Sequence, residues 1–126
     1  MRAVGIMVHG GPEALEMLDV PEVHAGPGQI RIKNRASAVN PTDVTARNGM
    51  RSELQKKYPP PYIPGMDLAG TVDQVGEGVT TGVEVGDSVI AMVVPKSTLG
   101  AYREQIVLDK GANKIWMKPL KREQKA

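Results

Sequence analysis

The chain has 126 residues, a formal net charge of +2, 40% hydrophobic and 24% charged residues, and no cysteine. This length predicts one domain that buries roughly two-thirds of its unfolded surface, and the composition is typical of a globular protein. The lack of cysteine excludes disulfides and thiolate metal sites. No apolar run approaches the roughly 20 residues of a membrane span, and the N-terminus has no signal-peptide pattern. We therefore expect a soluble, cytoplasmic protein without a membrane partner.

Positive charge is concentrated at the C-terminal end. Residues 110–126 contain six basic residues against one acidic residue (+5), whereas residues 1–109 contain ten basic and 13 acidic residues (−3). A nucleic-acid-binding segment would carry interleaved aromatic residues or a known binding module, but Trp116 is the only aromatic residue there. The pattern favours a solvated end segment, so we expect no nucleic-acid partner.

Turn signals divide the first third of the chain into three predicted strands. Residues 1–8 and 15–20 are separated by a Gly/Pro turn at 9–12, which predicts an N-terminal hairpin. After a turn at 24–28, residues 29–39 alternate between apolar and polar side chains. The period of two predicts a half-buried antiparallel strand. Its apolar face carries Ile30, Ile32, Ala36 and Ala38.

A short helix is predicted where this strand ends. Asn40 is a favourable N-cap, and Pro41 suits the first helical position because its missing N–H would be unpaired there. Asp43 falls at the third position, where a carboxylate favours the positive helix end. The helix should run from Pro41 to Asn48 and close at Gly49.

The remaining sequence predicts further strands around a proline-rich segment. Residues 51–64 contain four prolines and are expected to form an extended surface loop. Strands are predicted at 67–75, 88–94 and 101–108, with a short one at 114–118. Seven or so short strands with one short helix predict a mainly β, antiparallel barrel or sandwich.

Three glycines between the strands look at first like a dinucleotide-binding fingerprint. Gly76, Gly78 and Gly82 have the spacing G-x-G-x-x-x-G, and Val83-Glu-Val-Gly-Asp follows rather than a helix. No helix N-terminus is therefore available for a pyrophosphate. Hairpin turns explain these glycines.

An ordered set of motifs resembles the N-terminal half of a medium-chain dehydrogenase/reductase. The motifs are Asn-Pro-Thr-Asp at 40–43, Arg47, Gly49, Pro-Gly-Met-Asp-Leu-Ala-Gly at 64–70, Val-Gly-Glu-Gly-Val at 75–79, Gly-Asp at 86–87 and Gly-Ala-Tyr-Arg-Glu at 100–104. The chain is similar to the zinc-independent quinone oxidoreductase (zeta-crystallin-like) branch. The resemblance implies a GroES-like, partly open antiparallel β-barrel with one or two short helices. It places a catalytic domain at 1–119 and the start of a hinge to an absent Rossmann domain at 120–126.

The resemblance also implies a reductase cleft without zinc. Zinc-dependent members carry Cys, His and Glu at the positions of Asn40, Met66 and Asp67, and a zinc site needs three or four converging ligands. The implied activity is hydride transfer from NADPH to a quinone or enone. Quinone reduction is favoured, because some relatives have a helix tyrosine as proton donor, whereas Thr45 is the nearest hydroxyl here.

Three residues of the predicted helix are cofactor-site candidates by the resemblance. Asn40 would contact NADPH and, with Thr45, serve catalysis, although an N-cap role is equally compatible with its position. Asp43 could contact the cofactor or hold the helix start. Arg47 could bind an anionic group or pair with Asp43 at i, i+4.

Two tyrosines of the proline-rich loop are candidates for a substrate entrance. Tyr58 and Tyr62 could line it, or they could cover one end of the barrel with their rings.

Two functional hypotheses follow. In the first, the chain is the catalytic-domain portion of the reductase, inactive unless a Rossmann-domain partner chain supplies the cofactor site. In the second, it is a non-enzymatic GroES-like binding or assembly module whose exposed apolar surface a partner or second copy covers.

Overall fold

Two antiparallel β-sheets and two short helices form the fold in the computed structural model, which describes residues 1–79, 82–95 and 99–109, and the backbone alone of 117–120. The predicted mainly β, partly open architecture is confirmed, because the larger sheet does not close into a barrel within these ranges.

The N-terminal hairpin is confirmed as a two-stranded sheet. Strand β1 (Arg2–Gly5) pairs with β2 (Glu16–Asp19), and a 3₁₀ turn at Pro12–Ala14 lies between them. Two isolated bridges, from Ala3 to Arg103 and from Ile6 to Tyr62, attach this hairpin to the rest of the chain.

The larger sheet has five antiparallel strands in the order β6-β3-β4-β5-β7. Their bounds are β3 Gln29–Ala36, β4 Asp67–Val75, β5 Ser88–Met92, β6 Gln105–Asp109 and β7 Met117–Leu120. The prediction for β4 is confirmed at both ends, and β6 begins four residues later than expected. The strand predicted at 114–118 corresponds to β7, and residues 114–116 lie outside the described part.

Strand β3 keeps its predicted alternation only up to a bulge. Ile30 and Ile32 are fully buried, but the register against β4 shifts between Asn34 and Ala36. An extra residue reverses the faces of the side chains that follow it. The prediction that Ala36 and Ala38 share the buried face is therefore wrong, since both are exposed, and the strand ends at Ala36.

The core lies on the inner face of the larger sheet. Inward side chains of β3, β4, β5 and β6 form one cluster, because alternate residues of a strand point to the same face. Its members from these strands are Ile30, Ile32, Leu68, Val72, Val89, Ala91, Ile106 and Leu108.

The first helix is confirmed, and the second of the one or two expected helices lies in a segment predicted to be a loop. Helix α1 spans Pro41–Asn48 and closes at Gly49, whose φ of 94° is left-handed. Helix α2 spans Ser52–Gln55 inside the segment predicted as an extended loop. The prolines responsible for that prediction begin at residue 59, so they do not prevent a helical turn before it. Among the described helices, none has the length and apolarity to cross a membrane.

The turn at Gly76 explains one of the glycines that suggested a phosphate loop. The Gly76 N–H donates to the Gln29 carbonyl at 2.7 Å, and the Gly28 N–H donates to the Glu77 carbonyl at 2.8 Å. A Cβ on Gly76 would overlap the carbonyl oxygen of Gly26. The glycine is thus required by the approach of two turns.

Truncation of Ile32 should destabilise the sheet. Ile32 is 0% exposed, so Ile32→Ala leaves a cavity and should lower the free energy of unfolding by about 2–5 kcal/mol. Val39→Ala is the control, because Val39 is 76% exposed and its truncation should change stability by less than about 0.5 kcal/mol. Urea unfolding measures both, and equal effects would contradict this assignment of the core.

Candidate functional site

A buried carboxylate joins three segments of the chain. Asp43 is 4% exposed, and its oxygens accept three hydrogen bonds. The Asn40 backbone N–H donates to Oδ2 at 2.8 Å, the Gly65 N–H to Oδ1 at 2.9 Å, and the Tyr102 hydroxyl to Oδ2 at 3.0 Å. The bond from Asn40 belongs to a capping box at the start of α1. Asp43 therefore fixes the helix start against both the Pro64-Gly65 turn and the 100–104 segment.

Two glycines allow the segments around Asp43 to approach one another. Gly65 has a φ of 111°, and a Cβ there would lie 2.7 Å from the Ala101 nitrogen. A Cβ on Gly100 would overlap the carbonyl oxygens of Ile63 and Pro64. Because both glycines lack a Cβ, the two segments can pair through their backbones, and the Ala101 N–H donates to the Gly65 carbonyl at 3.0 Å. This pair presents the Gly65 N–H to Asp43.

Beside Asp43, a second carboxylate holds Asn40. The Asn40 Nδ2 donates to Asp67 Oδ2 at 3.1 Å, and the Ala38 backbone N–H donates to Asp67 Oδ1 at 2.8 Å. The side-chain amide nitrogen of Asn40 carries two N–H groups. One of them is used by Asp67, so the other is available to donate from this half-buried side chain. The side chains of Asn40 and Asp67 are thus hydrogen-bonded directly to each other.

The histidines lie elsewhere in the fold. The His9 ring stacks on Tyr62 with 5.7 Å between ring centroids, and its Nε2 lies 2.6 Å from Gln55 Oε1. His24 Nδ1 lies 3.2 Å from Arg31 Nη1. Within the described ranges, no group of three or more His, Asp or Glu side chains is arranged to hold a metal ion.

The Tyr102 hydroxyl retains its proton. Burial is the main cause that raises the pKa of this phenol well above its ordinary range, followed by the hydrogen bond to Asp43 and the negative charges of Asp43 and Asp67. Tyr102 is therefore a neutral donor that stabilises the Asp43 carboxylate.

The other predicted residues of α1 are held by protein partners. The Thr45 hydroxyl donates to the Thr42 carbonyl at 2.8 Å and accepts from Arg51 Nε at 2.9 Å. Arg47 Nη1 donates to the Gly10 carbonyl at 2.7 Å, and the Gly10 N–H donates back to the Arg47 carbonyl at 3.0 Å. Arg47 thus holds the 9–12 turn, and no ion pair joins it to Asp43 among the described residues.

The two candidate entrance tyrosines differ in their surroundings. The Tyr62 hydroxyl donates to the Tyr58 carbonyl at 2.9 Å and lies 3.3 Å from the Gln55 carbonyl. Its ring is covered by His9. Tyr58 is 39% exposed. Tyr62 therefore anchors the end of α2, and Tyr58 keeps a surface position.

The sequence did not reveal Tyr102 and Asp67 as partners of the site. Tyr102 lies 59 residues from Asp43, and Asp67 lies 27 residues from Asn40. Asp67 belongs to the motif at 64–70 and Tyr102 to the motif at 100–104, and these motifs were the only indication of their importance. The spacing of residues within a motif does not show which distant side chain each of them contacts.

Comparison with known proteins identifies a domain family that matches most of the chain. The alcohol dehydrogenase GroES-like domain family matches residues 26–115. A quinone oxidoreductase of Salmonella typhimurium is 37% identical over an alignment 109 residues long, and the alignment covers 82% of this chain and 30% of that protein. The chain thus spans less than a third of this relative's length.

Solved structures agree with the sequence comparison. The quinone oxidoreductase of Coxiella burnetii superposes with a TM-score of 0.78 at 28% identity, covering 92% of this chain and 36% of that one. The Escherichia coli quinone oxidoreductase complexed with NADPH gives a TM-score of 0.66 at 29% identity, covering 86% and 31%.

The hydrogen bond from Tyr102 to Asp43 should give stability a defined dependence on pH. Folding raises the Tyr102 pKa above the ordinary value of 10.0, so its contribution is complete below about pH 10 and is lost as pH rises above it. Tyr102→Phe should lower the free energy of unfolding by about 1–2 kcal/mol at neutral pH. The difference between wild type and variant should shrink above about pH 10.

Urea unfolding from neutral pH to about pH 11 tests this dependence. Tyr58→Phe is the control, because Tyr58 is partly exposed and its substitution should leave the same pH profile as wild type. A difference between wild type and Tyr102→Phe that stays constant across the range would contradict the assignment.

Proposed function

Because the chain belongs to the alcohol dehydrogenase GroES-like domain family, we propose that it is the catalytic-domain part of a zinc-independent oxidoreductase. The reaction we propose is hydride transfer from NADPH to a quinone or enone. Residues 1–119 would form this domain, and residues 120–126 would begin the hinge to a nucleotide-binding domain. The relatives named quinone oxidoreductases and the NADPH complex of one of them support the proposal.

The observation that carries the proposal is the direct hydrogen bond between Asn40 and Asp67. In zinc-dependent members, residues at these positions would bind a dipositive ion that polarises a carbonyl. Here the Asp67 carboxylate accepts hydrogen bonds from the Asn40 side-chain amide and from the Ala38 backbone N–H. Asn40 can still offer a hydrogen bond to a ligand, which suits a substrate that accepts hydride without a Lewis acid.

The contacts divide the predicted cofactor residues into two groups. Asp43 already accepts three hydrogen bonds and is buried, so its role in the proposal is to position the start of α1. Arg47 is tied to Gly10 through both its side chain and its backbone. Asn40 is then the residue we assign to NADPH and substrate. When bound, NADPH supplies the hydride, and Asn40 orients the groups next to it.

Proton delivery is assigned to solvent rather than to a side chain. Thr45 uses its single proton on the Thr42 carbonyl, and the raised pKa of Tyr102 opposes release of its proton. Reduction of a quinone is compatible with this arrangement, because the reduced oxygen can take a proton from water. In this proposal Thr45 acts by orienting Arg51, and Tyr58 lies at the substrate entrance.

Activity should require a nucleotide-binding domain and Asn40. The chain alone should neither oxidise NADPH with 1,4-benzoquinone nor bind NADPH with micromolar affinity in titration calorimetry. Joined to the C-terminal portion of the E. coli quinone oxidoreductase, it should catalyse NADPH-dependent quinone reduction. In that chimera, Asn40→Ala should lower kcat/KM by about 10- to 100-fold, the effect of one or two lost hydrogen bonds.

Asn48→Ala provides the matched control for this experiment. Asn48 is an exposed residue at the other end of α1, and its substitution should leave kcat/KM within about twofold of the parent chimera. Full activity of the Asn40→Ala chimera, or tight NADPH binding by the chain alone, would refute the assignment.

A second candidate function is that of a non-enzymatic binding or assembly module. The outer face of β5 and the second residue beyond it have apolar side chains that are exposed to solvent. Ile90, Met92 and Val94 are 38%, 55% and 42% exposed. Met92 lies opposite Asp67 in the sheet, so this face adjoins the Asn40–Asp67 pair. An exposed apolar face of this kind marks a protein-interaction surface. Under this hypothesis a second copy of the chain covers it.

Light scattering after gel filtration discriminates between the two functions. The assembly hypothesis predicts a dimer that Met92→Lys dissociates, because burying the ammonium group at the interface is unfavourable. Met50→Lys is the control, since Met50 is 77% exposed in the turn before α2. A monomer at all concentrations would count against the module, and a dimer unaffected by Met92→Lys would exclude this face.

A further inference from the structure

Three of the four asparagines lie in the part of the chain that the structure describes, namely Asn34, Asn40 and Asn48. Asparagine is a chemically labile residue, because the backbone nitrogen of the next residue can attack its side-chain Cγ and close a ring. The reaction requires a following residue with an N–H and little bulk, a side chain that can turn toward it, and a backbone that can move. The inference below does not rest on the proposed function.

Two of the asparagines are protected from this reaction. Asn40 is followed by Pro41, whose nitrogen carries no hydrogen and cannot attack. Asn34 is fixed by the fold, since its Nδ2 donates to the Ala101 carbonyl at 2.7 Å and its Oδ1 accepts from the Ala36 N–H at 3.0 Å. Rotation of this side chain toward the next backbone nitrogen would break both hydrogen bonds.

Asn48 meets all three requirements. It is exposed, it is the last residue of α1, and it is followed by Gly49, which has no Cβ to hinder its nitrogen. Within the described ranges, the side chain has one hydrogen bond, in which Oδ1 accepts from the Met50 N–H at 3.0 Å. This local bond holds the side chain next to the Gly49–Met50 peptide and draws electron density away from Cγ. Helix ends fray, so the backbone at this position can move.

We propose that Asn48 is a site of spontaneous deamidation. The Gly49 nitrogen loses its proton and forms a bond to Asn48 Cγ, and the side-chain nitrogen leaves as ammonia. Water then opens the cyclic imide at one of its two carbonyls. If the new bond to Cγ breaks, the product is aspartate. If the bond to the backbone carbonyl carbon breaks, the chain continues through Cγ and the product is isoaspartate.

Either product changes the turn against which residues 9–12 pack. The Gly10 N–H donates to the Arg47 carbonyl at 3.0 Å, and a Cβ on Gly49 would lie 3.6 Å from the His9 Cβ. Aspartate adds a negative charge at the negative end of α1, which is unfavourable. Isoaspartate also adds one atom to the backbone before Gly49. The modification therefore loosens the 9–12 turn from α1, slowly and irreversibly.

Peptide mapping by mass spectrometry tests the site after incubation of the 126-residue chain at mildly alkaline pH. We expect the Asn48 peptide to gain the mass difference between OH and NH₂ and to separate into aspartate and isoaspartate forms. The Asn34 peptide should react at least about tenfold more slowly, a ratio that needs only a small difference in barrier. The rate at Asn48 should rise with pH, because the deprotonated Gly49 nitrogen is the attacking group.

Gly49→Ala and Met50→Ala give a matched pair of variants. The methyl group of Gly49→Ala hinders the attacking nitrogen and should slow the reaction at least about fivefold. Met50→Ala changes a residue that is 77% exposed, keeps the Met50 N–H position and should react as fast as wild type. Because the left-handed φ of 94° at Gly49 is strained for alanine, both variants are also compared in urea. The same order of rates there shows that the effect is chemical.

Three results would overturn the proposal. They are an Asn48 that stays unmodified in the folded chain while it deamidates in urea, a product that contains aspartate alone, and a Gly49→Ala variant that reacts as fast as Met50→Ala. The effect on packing is read from the ¹H–¹⁵N spectrum of the modified chain. The amide signals of Gly10 and of Ser52, which donates to the Gly49 carbonyl at 3.1 Å, should shift, and unchanged signals would contradict that effect.

Discussion

A single buried carboxylate, Asp43, determines how the candidate site is put together. Burying a charged group is costly unless hydrogen bonds replace its solvation, and Asp43 obtains three of them from segments that share no secondary structure. The three donors come from the start of α1, the Pro64-Gly65 turn and the 100–104 segment. The position of Asn40 at the start of α1 is consequently a property of the whole arrangement rather than of the helix alone.

A hydrogen bond between two side chains shapes the edge of the sheet beside Asp43. A zinc ion would join converging ligands by its charge, whereas Asn40 and Asp67 are joined here by one hydrogen bond of 3.1 Å. The hydrogen bond keeps the two side chains at the edge of the sheet without concentrating positive charge there. The Nδ2–H of Asn40 that Asp67 does not use can donate a hydrogen bond to a ligand at this edge.

Local signals predicted the parts of the fold that local interactions determine. Asn40, Pro41 and Gly49 fixed the ends of α1 because capping and backbone preferences act within a few residues. The bulge after Asn34 was missed, since it depends on pairing with a strand more than 30 residues away. Helix α2 was missed because the prolines beyond it dominated the interpretation of the segment. The partners of the site were also missed because they are distant in sequence, as the hydrogen bond from Tyr102 to Asp43 shows.

The separation of the Asp43 partners along the chain has a consequence for biosynthesis. Asn40 is three residues away and Gly65 is 22, but Tyr102 is 59 residues further on. On the ribosome, the residues of α1 and of the Pro64-Gly65 turn are therefore synthesised before the last donor, Tyr102. Until residue 102 emerges, the carboxylate lacks its tyrosine partner and relies on water or on two backbone donors. Translation order thus delays the full set of donors to Asp43 until residue 102 has been synthesised.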